Sequence, residues 1–207
     1  TAERVSLNLI QRMCGIATAT RRYVDAIPTG SKTRITDTRK TTPGLRLLER
    51  YAVRRGGGHN HRNDPGSAVL IKDNHIVAAG GVKQAITAAK ARAPHTSKIE
   101  CEIDSLDQLE EALTAGADII LLDNMDTATT AEAVKRTRGR ALLEASGGIT
   151  LERVTELANA GVDAISVGVG YTLPFELVGC PDLNAEQLAA NLNSRRLAGV
   201  HFRPTYF

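Results

Sequence analysis

The residues of this 207-residue chain that could do chemistry fall into a few short groups. They are Asp37-Thr38-Arg39-Lys40, His61-Arg62, Lys72-Asp73-Asn74-His75, Glu102 with Asp104, Asp123-Asn124, Ser146-Gly147-Gly148 and Gly168. Arg39, Lys40, Arg62 and Lys72 are cations at neutral pH, and His61 stands among them. A guanidinium grips a carboxylate or phosphate through two parallel hydrogen bonds, and a lysine adds a point charge. Brought into one pocket, the set selects a small polyanion. Glu102 and Asp123 supply the opposite sign. A carboxylate pair among cations can hold a divalent metal ion or stabilise positive charge that develops in a reaction. Taken singly, each cation is equally well explained as a solvated basic rim, and each acid as the partner of a nearby lysine. The whole set points to function.

Ser146-Gly147-Gly148 stands just ahead of a helical pattern, and Gly168 follows the next aliphatic run. Glycines let backbone N–H groups approach an oxyanion, and the start of a helix adds its dipole, so this is the layout of a phosphate cradle. Alone, the tripeptide reads just as well as a turn. The histidines at 59, 61 and 75 make no zinc site, because no thiol or carboxylate stands at ligand spacing beside them.

The elements that must position these groups are legible from periodicity. Short β-branched or aliphatic runs at 33–36, 68–71, 99–103, 118–122, 141–144 and 164–167 predict strands. Amphipathic patterns at 2–26, 44–54, 81–93, 105–115, 127–137 and 150–160 predict helices, with Ser105 and Thr150 as N-caps and Gly116 and Gly161 as stops. Strands alternating with helices imply a parallel sheet, either doubly wound or closed into a barrel. The fold expected is α/β: an incomplete parallel α/β barrel of six strands with a C-terminal extension. In such folds the ligand lies at the carboxyl ends of the strands, and every polar group named above except the His61-Arg62 pair finishes one of those runs. That pair lies on the glycine-rich stretch 54–65, which has no period and is expected to be a functional loop.

Composition sets bounds. Twenty-six Lys and Arg against 23 Asp and Glu give +3, too weak a balance to argue for nucleic acid. No stretch approaches the roughly 18 apolar residues of a membrane helix. Cys14, Cys101 and Cys180 are far apart and odd in number, which predicts reduced thiols in a reducing compartment. No signal peptide is legible at the start. The chain begins with Thr, so a piece of a longer protein is expected. Five of its seven Tyr and Phe fall in the last 37 residues, marking a change of character near residue 170.

Arg4 in TAER, DTRKTTPGLR at 37–46, YAVRRGGGHNHR at 51–62, LIKDNH at 70–75, Glu102, LLDN at 121–124, SGG at 146–148 and ISVG at 165–168 closely resemble quinolinate phosphoribosyltransferase. The resemblance spans residues 1–168, and the combination of the second, third and fourth motifs is highly specific. It implies a reaction of de novo NAD synthesis. Quinolinate and phosphoribosyl pyrophosphate, with Mg2+, give nicotinate mononucleotide, pyrophosphate and CO2. It further implies that Arg4, Arg39, His61, Arg62 and Lys72 bind quinolinate, and that Lys40 contacts the phosphoribosyl donor or pyrophosphate. By the same resemblance Glu102 and Asp123 serve the ribose, the metal or an oxocarbenium-like transition state, so that Lys40, Glu102 and Asp123 are the catalytic set. Ser146, Gly147, Gly148 and Gly168 receive the 5′-phosphate. The family is cytoplasmic and forms a homodimer or higher oligomer, with no nucleic acid or membrane partner. An N-terminal α/β sandwich domain precedes TAER in the family and closes the partner's site, and the residue matching Arg4 reaches across too; that domain is absent from this sequence.

Two stretches depart from the family. The loop NDPGS at 63–67 differs in composition though not in length. After ISVG the family continues A-L-T-H, whereas here Val169-Gly170-Tyr171-Thr172 follows. The remainder resembles part of a bacterial exo-acting N-acetylmuramidase family in PFELVG, the NAEQLAANLN helix and GVHFRP. The expected domains are therefore a phosphoribosyltransferase barrel over 1–170 and an atypical, foreign extension over 171–207. Rival readings are a related phosphoribosyltransferase with another ring substrate, and an inactive fragment or chimera that still binds phosphate or dicarboxylate. A peptidoglycan-acting protein led by the tail is the weakest, since so short a tail cannot carry a glycosidase site alone.

Overall fold

All six aliphatic runs become strands: β1 (Arg34–Thr36), β2 (Val69–Ile71), β3 (Ile99–Ile103), β4 (Ile119–Asp123), β5 (Leu142–Ser146) and β6 (Ala164–Ser166). The computed structural model describes residues 2–168 and 184–195. The chain divides into two compact units, Thr1–Tyr171 and Thr172–Phe207. In the first unit the helices are α1 (Ala2–Asp25), α2 (Arg46–Arg55), α3 (Asp73–Ala79), α4 (Val82–Arg92), α5 (Leu106–Ala115), α6 (Thr127–Thr137) and α7 (Leu151–Ala160). In the second unit the described helix is α8 (Ala185–Asn193), capped by Asn184, whose side chain accepts from the Gln187 N–H. It covers most of the NAEQLAANLN segment; PFELVG and GVHFRP lie outside the described residues.

The sheet order is β1-β6-β5-β4-β3-β2, with every pair parallel. From β2 to β6 each strand neighbours its successor in sequence, and β6 returns to β1, which is the order of a barrel. The ring is open between β1 and β2. Among the described residues His59 bridges to β1 at that gap, donating its N–H to the Ile35 carbonyl at 2.8 Å and accepting from the Asp37 N–H at 3.0 Å. An incomplete parallel α/β barrel is therefore the observed fold.

Alternation along each strand sorts side chains between two environments. The residues facing the helices make two apolar clusters. One joins Ile71, Ile99, Cys101, Ile103, Ile120, Leu122 and Leu143 to α4 and α5 through Val82, Ile86, Leu109 and Leu113. The other joins Ile35, Ala145 and Ile165 to α1, α2 and α7 through Ile16, Val53, Val154 and Leu157. A fully buried Leu or Ile contributes roughly 1.5–3 kcal/mol, so these clusters hold the ring together. The opposite, inward face carries the polar residues, with Leu121 of β4 among them: Thr36 on β1, Glu100 and Glu102 on β3, Asp123 on β4, Glu144 and Ser146 on β5 and Ser166 on β6.

Two strands end one or two residues later than expected. Asp123 and Ser146 are the last residues of β4 and β5 because the ladder pairs them with each other. One helix was not anticipated. α3 starts directly after Lys72 and buries none of its residues, so it offers no amphipathic pattern to read.

Candidate active site

The carboxyl ends of the strands carry the expected groups. Lys72 follows β2 and its Nζ lies 2.9 Å from Glu102 Oε2 near the end of β3. Ladder register places Glu102 opposite Leu121, and Asp123 is the next residue on that face of β4. Asp123 accepts at Oδ2 from the Asn124 side-chain amide at 2.9 Å. The Asn124 backbone N–H donates to the Ser146 carbonyl at 2.9 Å, tying the ends of β4 and β5 together.

The loop after β1 holds Arg39 and Lys40. It is anchored from below by Glu49, which is 1% exposed. Glu49 accepts from Arg12 at 2.7 and 3.0 Å and from the Thr42 N–H at 3.1 Å. Arg46 adds bonds to Thr41 Oγ1 at 2.9 Å and to the Arg39 carbonyl at 3.1 Å.

The glycine-rich loop reaches the site by passing close beneath α1. A Cβ on Gly56 would lie 2.4 Å from the Ala17 carbonyl, and one on Gly58 would lie 2.8 Å from Thr20. Beyond the glycines, Asp37 organises the backbone: it accepts from the His61 N–H at 2.7 Å and the Asn60 amide at 2.6 Å. Arg50 stands 3.5 Å from Asp37 and donates to the His61 carbonyl, to the Arg62 carbonyl at 3.0 Å and to Asn63 at 3.0 Å. Burial pushes the Asp37 carboxyl up, against the pull of these hydrogen bonds and of Arg50. This buried pair holds His61 and Arg62 in place.

Arg62 and Arg39 are close enough to repel. The Arg62 guanidinium is held below its ordinary range, first by burial and then by the Arg39 charge. The Arg39 Nε is buried with no hydrogen-bond partner. Two like charges gathered with an unsatisfied buried donor form an arrangement that an anion completes.

His61 connects the mouth to an acidic layer one rung below it. Its Nε2 lies 3.2 Å from Glu100 and 3.7 Å from Glu144. These ligand atoms fall within 4.8 Å of one another, the spacing of a metal site. The ring chemistry argues otherwise. The Arg62 N–H donates to Nδ1 at 2.8 Å, which assigns the ring proton to Nε2. A metal-bound imidazole presents a bare nitrogen to the ion and donates from the other one, the reverse of this arrangement. The cluster suits a shared proton. Burial, then the nearby Glu100, push the Glu144 carboxyl up to about 7, and the bond to Glu100 raises His61 as well. One of the Glu144 oxygens, Oε1, is buried without a hydrogen bond.

The cradle after β5 has the expected backbone. Gly147 and Gly148 have φ of 83° and 56°, in the left-handed region. A Cβ on Gly147 would lie 2.1 Å from Asn124 Oδ1. Thr150 caps α7, accepting from the Arg153 N–H at 3.4 Å. Gly168 follows Val167, whose N–H donates to the Thr36 carbonyl at 2.9 Å.

Arg39, Lys40, His61, Arg62, Lys72, Glu102, Asp123, Ser146, Gly147, Gly148 and Gly168 thus all stand at or beside the carboxyl ends of the strands. Arg4 does not join them; it is exposed in the first turn of α1, and among the described residues no bond links it to the site. Sequence reasoning passed over Glu100 and Glu144, although their period-two spacing from Glu102 and Ser146 puts them on the same inward face. It also passed over Arg50, Asn60 and Arg153, which act through the backbone and carry no spacing signal. Cys101 faces the helices, and burial pushes its thiol up to about 11, which removes it as a nucleophile.

Known proteins resemble this chain in sequence and in fold. The chain is 49% identical over 168 residues to the probable nicotinate-nucleotide pyrophosphorylase (carboxylating) of Bacillus subtilis, covering 81% of this chain and 58% of that protein. The human nicotinate-nucleotide pyrophosphorylase (carboxylating) is 44% identical over 171 residues, again 81% of this chain and 58% of the relative. Among solved structures, NadC from Streptococcus pyogenes superposes with a TM-score of 0.77 at 45% identity, covering 81% of this chain and 59% of its own. The chain therefore spans somewhat under two thirds of the length of the curated relatives it matches. Residues 157–207 match the C-terminal family model of the exo-beta-N-acetylmuramidase NamZ. Residues 16–173 match the family model of the quinolinate phosphoribosyl transferase C-terminal domain, and the chain belongs to that family.

Proposed function

We propose that this chain carries the site for phosphoribosyl transfer from phosphoribosyl pyrophosphate to quinolinate, with decarboxylation to nicotinate mononucleotide, pyrophosphate and CO2. The observation that carries the reading is the pair Arg39 and Arg62, gathered against their mutual repulsion with a buried donor unsatisfied. A planar dicarboxylate supplies what they lack: two acceptor groups and two negative charges. Lys72 completes the cationic wall, and its bond to Glu102 keeps it oriented in the absence of ligand. His61 fixes the Arg62 backbone through Nδ1, so the loop offers the ligand a guanidinium already in place.

At the ribose, Glu102 and Asp123 face positive charge that develops as the bond to pyrophosphate breaks, and carboxylates fixed in advance stabilise it. Lys40 neutralises the departing pyrophosphate. The same two carboxylates fit Mg2+, which takes oxygen ligands and is usually held by one or two carboxylates together with substrate phosphates. Bound there, the ion supplies charge neutralisation on the phosphate oxygens. Ser146, Gly147, Gly148 and Gly168 receive the 5′-phosphate.

The active form in this reading is a cytoplasmic homodimer. Val5, Leu7 and Ile10 on α1 and Leu47, Leu48 and Tyr51 on α2 expose large apolar surface on two helices that pack together, a face that a second copy covers. Arg4, exposed on α1, then acts at the partner's site.

Pyrophosphate release from phosphoribosyl pyrophosphate tests the reading: it should require quinolinate and Mg2+. Stabilisation by quinolinate in a thermal scan with no pyrophosphate released would favour the rival, a chain that binds but does not turn over.

A further inference from the structure

Arg153, on the first turn of α7, has no part in the reaction as proposed above, yet its guanidinium makes three bonds to main-chain carbonyls. Nη1 donates to Gly147 O at 3.3 Å and Gly148 O at 3.1 Å, and Nη2 donates to Met125 O at 2.9 Å. These carbonyls belong to the segments that leave β4 and β5.

We infer that Arg153 is a positioning residue that aims the phosphate cradle and locks it to the acidic end of β4, an inference that rests on the proposed phosphoribosyl site. The argument is one of peptide geometry. In a planar trans peptide the N–H points opposite to the C=O, and the described chain has no cis bonds. Drawing the carbonyls of Gly147 and Gly148 toward Arg153 therefore turns the N–H groups of Gly148 and Ile149 the other way, away from its guanidinium. Among the described residues no backbone carbonyl accepts from those two N–H groups. Left-handed φ at both glycines makes the turn possible. Successive N–H groups in such a turn form a concavity for an anion. Without Arg153, two carbonyl oxygens are free to swing toward the phosphate and repel it.

The third bond has a separate consequence. Met125 lies two residues after Asp123, so the same side chain that shapes the cradle also fixes the segment behind the catalytic carboxylate. Only a flat fork of several donors spans three carbonyls in this way; an ammonium on a flexible stem does not.

The test compares the full chain with R153A and R153K by calorimetry, using ribose 5-phosphate and quinolinate as separate probes. R153A should weaken ribose 5-phosphate by about tenfold or more and change quinolinate by less than about twofold. Millimolar methylguanidinium should restore part of the ribose 5-phosphate affinity in R153A and none in the parent chain, a rescue that general destabilisation does not produce. Should R153A fail to fold, R153K, which keeps the charge but not the fork, carries the same comparison. Unchanged ribose 5-phosphate affinity, or equal losses for both ligands, would overturn the inference. A parent chain that binds quinolinate but not ribose 5-phosphate overturns it as well. A parent chain that binds neither defeats the proposed function first, and this inference with it.

Discussion

Replacing Glu144 by Gln should make the protein more stable above neutral pH and leave it nearly unchanged in mild acid. Glu144 is 5% exposed, with Glu100 near it across the inward face and its Oε1 unbonded. Its carboxyl is pushed from an ordinary 4.5 up to about 7. At about 1.4 kcal/mol per pKa unit, the shift corresponds to about 3 kcal/mol. The sign follows from proton counting. Below the unfolded value near 4.5 both states hold the proton and stability is full. As pH rises toward 7 the unfolded chain releases it while the folded chain keeps it, so stability falls; above 7 the loss is complete. Gln keeps the shape and has no charge to bury. In urea unfolding, the variant and the parent should lie within about 1 kcal/mol at pH 5, and the variant should be more stable by about 3 kcal/mol at pH 8. With an m-value of about 2 kcal/mol per molar, the midpoint moves up by roughly 1–2 M. A difference that does not grow between pH 5 and pH 8 would refute the shared-proton account of this cluster, and a variant less stable at pH 8 would do so outright.

Further outcomes follow from the same geometry. Gly147→Ala places a methyl group against Asn124 in a left-handed backbone, so the chain should lose about 1–3 kcal/mol in urea unfolding, together with ribose 5-phosphate affinity. Asp37→Ala strands the Arg50 charge in a buried position, at a cost of about 3–5 kcal/mol; a midpoint shift as small as that of a surface substitution would contradict its anchoring role. If the proposed homodimer forms through α1 and α2, Leu47→Glu, on a side chain 86% exposed, should leave circular dichroism unchanged and give a monomer's mass in light scattering where the parent gives a dimer's; equal masses for the two would contradict the proposed face.

What the amino-acid sequence showed, and what it hid, follows from which interactions leave a periodic trace. The strands were legible because each carries an apolar residue onto a helix-covered face, and the expected runs differ from the observed ones by a residue or two. Asp123 and Ser146 read as loop residues because their polarity outweighs their place in the ladder; only the pairing of β4 with β5 makes them strand ends. α3 left no trace because none of its residues is fully buried. The cations and acids of the mouth were legible as chemical types in a regular series. Glu100 and Glu144 were hidden by the habit of reading an acid inside an aliphatic run as a surface residue. In a barrel the second face of a strand is also inside. Arg50, Asn60 and Arg153 were hidden for another reason: they bind carbonyls or a buried carboxylate brought together by the loops, and no local spacing announces such partners. Arg4 is the converse case, a residue named through resemblance that the chain by itself leaves apart from the site.

The account depends above all on Arg39, Arg62 and Lys72 forming one receptor for two carboxylates. Calorimetry with quinolinate and with nicotinate, which has lost one carboxylate, measures that directly. Quinolinate should bind about tenfold or more tighter than nicotinate, and Arg39→Ala should abolish most of the difference. Equal affinity for the two rings, or a preference that survives Arg39→Ala, would contradict it.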